Sequence, residues 1–98
     1  MSYIMSVSNL PNKKYMVKFL NKFTNKINTI HFGAAGFNDY ILTNDDGRKK
    51  AYLQRHKNDN INDLSYAGCW AANLLWNKTS MTASIKDMER RFGINIIY

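Results

Sequence analysis

The clearest alternation in the chain is in KKYMVKFL, residues 13–20, where Tyr15, Val17 and Phe19 point one way and Lys14, Met16 and Lys18 the other. That period of two is the mark of a strand with one buried face. The polar NKFTNK, residues 21–26, reads as a turn, and INTIHF, residues 27–32, alternates again with β-branched residues. Residues 14–32 therefore predict a hairpin that carries Lys14, Lys18, Lys22 and Lys26 along its exposed side and loop. GAAG, residues 33–36, frees the backbone for a sharp turn, and FNDYIL, residues 37–42, predicts a helical turn or short helix. A second helix is expected from about Asp45 or Asp46 until NDNIND, residues 58–63, breaks it.

SYAGCWAANLLW, residues 65–76, is apolar on almost every side, which predicts a central buried helix with Trp70 over Leu74 and Ala67 over Ala71. In the last helix Met81, Ile85, Met88 and Phe92 form one apolar stripe, with Thr79 or Ser80 to cap its start and Gly93 to stop it. INIIY, residues 94–98, closes the chain as a short strand that can join the hairpin, whereas residues 1–12 read as an extended N-terminal arm running through Pro11, for which pairing with a sheet is open but not required. The expected fold class is α+β: a small antiparallel sheet, from the hairpin 14–32 and a strand at 94–98, packed by about three helices within one domain spanning residues 13–98.

Charge changes this picture by giving the two halves different surfaces. Residues 12–57 hold ten Lys and Arg against three acids, while residues 58–98 hold four of each, so the whole net charge of +7 belongs to the first half. Such asymmetry points to a polyanionic partner, either nucleic acid or an anionic membrane surface; the plainer alternative is a basic surface that serves solubility. The longest apolar stretch, residues 67–76, is far short of a membrane span, and the opening residues do not resemble a secretory signal. With one cysteine, Cys69, an intrachain disulfide is excluded and a reducing compartment is expected.

The densest basic segment is GRKKAYLQRHK, residues 47–57. On a helical wheel Tyr52, Leu53 and His56 share an inward arc with the Lys49 stem at its edge, while Arg48 and Arg55 form one flank and Lys50 and Lys57 the other. Two short basic rails of this kind suit phosphate contacts rather than base reading. The last helix has similar charge density, but Asp87 and Glu89 interleave with Lys86, Arg90 and Arg91, which reads as a solvated structural face. Phe23, a large apolar residue in a polar turn, is a candidate partner contact.

Chemistry is harder to find. His31 and His56 stand without acidic or cysteine partners at ligand spacing, and Cys69 lies in the most apolar segment, where an inert buried thiol is expected. GAAG lacks the lysine of a nucleotide-binding loop and is better read as a turn. No enzyme activity, metal or cofactor is expected from these residues.

Four segments resemble, in order, a family of short Lys/Arg-rich, basic adaptor-like proteins of nucleocytoplasmic large DNA viruses: KKYMVKF, TIHFGAAGFNDYI, RKKAYLQRHK and AGCWAANLLWNKTSMTASIKDMERRFGI. The likeness is to the mimivirus-like giant viruses above all and to iridovirus-like groups as well, and it covers residues 13–96. It implies a virion-associated domain that acts as an adaptor or in genome packaging, in the virion interior and the cytoplasmic viral factory, with no catalytic residues. Lys13, Lys14, Lys18, Arg48, Lys49, Lys50, Arg55, His56 and Lys57 match the family's basic positions. The chain departs from the family in being less basic between residues 41 and 60, and in having AAN at 71–73 where an Arg-aromatic pair is common.

The expectation drawn from charge and resemblance together is a non-enzymatic protein that binds double-stranded DNA, with RNA as the alternative, without sequence preference and condenses it in the virion nucleoid. The nucleic-acid contacts are expected from Lys14, Lys18, Lys22, Lys26, Arg48, Lys49, Lys50, Arg55 and Lys57. Condensation needs two DNA-binding surfaces per particle, through opposed rails or self-association. The competing expectation is a virion structural or adaptor protein whose basic face meets other virion proteins or membrane, with Phe23, the N-terminal arm and the C-terminal strand making contacts.

Overall fold

A computed structural model describes residues 2–98. The strands are β1 (Ser2–Val7), β2 (Lys13–Asn21), β3 (Lys26–Ala34) and β4 (Asn95–Ile97), in the spatial order β3-β2-β1-β4. Between β3 and β4 lie α1 (Tyr40–Thr43), α2 (Asp46–Arg55), α3 (Ala67–Trp70), a π-helical continuation of α3 over Ala71–Leu75, and α4 (Met81–Phe92). The α+β class and the hairpin match the expectation from sequence. Asn25, with φ 58°, supports the turn between β2 and β3, and Asn21 Oδ1 accepts from Phe23 N and Thr24 N there.

Two sequence expectations are changed by the structure. The extended stretch expected as an arm, with sheet pairing left open, is β1, an inner strand: it pairs antiparallel with β2, with Met5 opposite Val17, and parallel with β4, with Tyr3 opposite Ile96. Tyr3 and Met5 are buried, whereas Ser2, Ile4 and Val7 are exposed. The alternation is short, and the apolar Ile4 on its outer face blurs it. Consequently the sheet is mixed rather than purely antiparallel, and the C-terminal strand joins β1, not the hairpin.

One face of this sheet packs on the helices. Trp70 is fully buried, with its ring centroid 5.2 Å from Tyr3 and 6.2 Å from Phe32, and its Nε1 donates to the Leu64 carbonyl at 2.9 Å. Leu74, Met88, Val17 and Cys69 complete the core. At the end of β3, Gly33 has φ +79°, a backbone conformation that favours glycine, and an added Cβ would lie 2.7 Å from Leu75 Cδ1 and would have to displace that side chain. On the opposite face Ile4, Leu20, Ile27 and Ile97 are exposed.

The apolar run does not form a uniform α-helix. It widens into a π turn, within which Asn73 Nδ2 donates to the carbonyls of Cys69 and Ile61, both at 2.8 Å. Asn73 Oδ1 in turn accepts from Arg91 of α4. The last helix follows the sequence reading: Ser80 caps its start by accepting from Ala83 N, Gly93 ends it at φ 64°, and Met88 is fully buried.

Asp87 ties α4 to the preceding loop. Hydrogen bonds from Asn77, then from Arg91 and Arg90, hold its carboxyl well below the usual carboxylate range. A depressed folded-state pKa gives stability that is present above the unfolded value of about 4 and lost as pH falls through and below it. The Asp87→Asn variant is therefore expected to have a lower urea midpoint than the parent at pH 7, and the two midpoints should converge as pH is lowered toward about 2. Parallel midpoint curves across that range would show that the carboxylate contributes nothing.

Candidate nucleic-acid interface

The residues expected to form the interface lie on α2 and on the hairpin. Asp45 caps α2 by accepting from Arg48 N at 3.1 Å, and Asp46 accepts from the Tyr40 hydroxyl, which joins α2 to α1. No residue of α2 is fully buried; Tyr52, Leu53 and His56 are half-buried, on the arc the wheel assigns them. What fastens the helix is aromatic. The Tyr52 ring lies 4.4 Å from that of Trp76 with planes 5° apart, and 4.2 Å from His56 at 27°. Two rings at that height cannot share one face of Tyr52, so the three form a continuous stack. Burial raises the Tyr52 pKa above its ordinary value.

The candidate cations separate into two groups. Lys14 donates to Asp39 Oδ2 at 2.6 Å with both side chains largely covered, and Asp39 also caps α1 through Leu42 N. Lys49 donates to the Asn77 carbonyl at 2.6 Å and lies over the Tyr40 ring at 4.8 Å. These two lysines are committed to the fold. Lys18, Lys22, Lys26, Arg48, Lys50, Arg55 and Lys57 are exposed, and of these only Arg48 approaches a carboxylate, Asp45 at 3.6 Å.

The acids explain why the positive surface is not neutralised. Among the described residues every Asp and Glu side chain already has a partner: Asp39, Asp45 and Asp46 as above, Asp59 with His56, Asp63 with Ser65, Asp87 with Asn77 and two arginines, and Glu89 with Ile96 N. His56, expected without an acidic neighbour, bonds Asp59 through Nδ1 at 2.7 Å because the chain folds back just after α2. His31 bonds Ser8 Oγ at 2.7 Å. Burial pushes the Cys69 thiol up to about 11, which leaves it a poor nucleophile at neutral pH.

The seven exposed cations do not form one patch. Arg48 and Arg55 line a cleft with Ala34 and Gly36, which places α2 beside the end of β3, whereas Lys22 and Lys26 stand at the hairpin tip. Eight residues of strand at about 3.3 Å each separate Lys26 from Ala34, roughly 26 Å. Lys18, opposite Thr29, sits between them. The aromatic side of the cleft is not legible in sequence: Phe37 is 71% exposed on the turn after Gly36, and Trp76 reaches Tyr52 from 24 residues away.

Among the described residues no cluster of three His, Cys, Asp or Glu side chains is placed to hold a metal ion, and no helix is long and apolar enough to cross a membrane. Fold and surface together define a small α+β domain with a carboxylate-depleted basic half. The chain belongs to a family of unknown function, DUF5754, whose profile matches residues 3–56. That span runs from β1 through α2 and so contains both cationic groups except Lys57, while the π turn, α4 and β4 lie beyond it. No curated protein and no solved structure matches the chain.

Proposed function

We propose that this chain is a non-enzymatic viral DNA-binding protein that grips phosphates without sequence preference and draws duplex segments together in the virion nucleoid. The observation that carries the reading is a pair of exposed cationic groups set apart in the fold, Lys22 and Lys26 at the hairpin tip and Arg48, Lys50, Arg55 and Lys57 on and just after α2, whose Arg48 and Arg55 lie beside the far end of β3. A particle with two such groups can touch two duplexes, or two turns of one, without first dimerising. The virion setting rests on the resemblance of the four sequence segments to basic proteins of large DNA viruses.

A salt-titrated gel shift on duplex DNA tests it. About six phosphate contacts give a slope near −5 in log affinity against log salt, from −0.9 per contact. A slope near zero would remove the phosphate-binding reading. Particle incorporation is measured on charge-reversed rail variants as well. Variants that still associate with DNA but fail to enter particles would favour the competing adaptor reading.

A further inference from the structure

We propose that the cleft between α2 and the turn after β3 holds one unstacked nucleotide of a single strand, its base against Phe37 and the Tyr52–His56–Trp76 stack and its phosphate on Arg48 and Arg55. This deepens the reading of the chain as a DNA-binding protein and rests on it.

Four features of the cleft point the same way. Its volume of about 560 Å³ lies in the range of small-ligand sites. An adjoining, more enclosed space of about 260 Å³ shares Phe37, Tyr52, His56 and Trp76 with it, and its Asp39 is already paired with Lys14. No carboxylate lines the larger cleft, and its two charged side chains, Arg48 and Arg55, are seven residues apart on one flank of α2. Finally, Phe37 keeps 71% of its surface in water although it is among the largest apolar side chains, held out on a turn where Gly36 has φ +84° and Phe37 N donates to the Ala34 carbonyl at 3.3 Å. Flat π surfaces beside guanidinium groups are what an unstacked base and its phosphate bind, whichever base it is. A duplex keeps its bases stacked inside and would use only the arginines.

The test compares a 15-nucleotide oligo-dT with an abasic strand of the same length and charge, at one salt concentration, read by tryptophan fluorescence. Trp76 lies in the cleft wall while Trp70 is fully buried, so the response reports on the cleft. Oligo-dT should bind roughly 5- to 150-fold more tightly than the abasic strand, the range of one base–aromatic stack. Phe37→Ala should abolish most of that difference and leave duplex binding unchanged. Equal affinity for the two strands, or a difference that survives Phe37→Ala, overturns the nucleotide pocket even if duplex binding is normal. If duplex binding is absent while a Phe37-dependent preference for oligo-dT remains, the duplex reading is the one that fails.

Discussion

Reversing Arg48, Lys50, Arg55 and Lys57 to Glu is expected to abolish duplex binding at physiological salt while leaving the fold intact. The four reversals remove eight charge units and take the formal net charge from +7 to −1. If each residue meets one phosphate, the salt slope falls from about −5 to between −1 and −2, and the binding that remains comes from the hairpin lysines. The fold should tolerate the change because all four side chains are exposed, and the only ion pair among them is the 3.6 Å approach of Arg48 to Asp45 at the surface. Glu at position 48 even suits the first turn of α2, while Glu at 55 opposes the helix dipole by about 0.3–1 kcal/mol. The control is the double variant Lys78→Glu, Lys86→Glu, two exposed lysines of the neutral half. A site-based interface predicts near-parental binding for it. Equal losses per charge in both variants would mean that net charge alone drives association.

The second large effect concerns β1, the strand whose sequence reads as an arm. Tyr3→Ala should destabilise the domain by about 3–5 kcal/mol, because it empties a site between Phe19 and Trp70, whose ring centroids are 5.1 and 5.2 Å away. Ile4→Ala, one residue on and 55% exposed, should cost less than about 1 kcal/mol. Urea unfolding at pH 7 separates these outcomes. An arm outside the core would give two small and similar values, whereas an inner strand demands strong alternation from one residue to the next. A loss of several kcal/mol is a large share of a small domain's stability, so Tyr3→Ala is also expected to sit near the edge of folding at 37 °C.

These variants test different levels of the same molecule, and the levels differ in how far the sequence reveals them. The hairpin and α4 are legible because each carries its own period, Tyr15, Val17 and Phe19 at two and Met81, Ile85, Met88 and Phe92 at three and four, with Ser80 and Gly93 marking the ends of α4; α2 is legible from Asp45 at its start and the polar run at 58–63 after it. The inner position of β1 is not, since a strand's neighbours are set by pairing with residues far along the chain, here Val17 and Ile96. The π turn is equally hidden. It depends on Asn73 finding Ile61 and Arg91, which local propensity does not register.

The candidate interface shows the same division. Composition and the wheel identify where the positive charge lies and which flank of α2 each cation occupies, because those follow from order along the chain and the 100° turn per residue. Only the tertiary structure decides which charges are free. Lys14 and Lys49 are consumed by Asp39 and the Asn77 carbonyl, groups 25 and 28 residues away. It also sets the hairpin lysines roughly 26 Å from the end of the strand beside α2, and brings Phe37 and Trp76 together beside Arg48 and Arg55. Sequence by itself thus determined a basic α+β domain with its charge in one half, since periodicity and charge are local quantities. Whether a given lysine faces water or a buried carboxylate is a property of contacts between distant segments, and folding alone makes those.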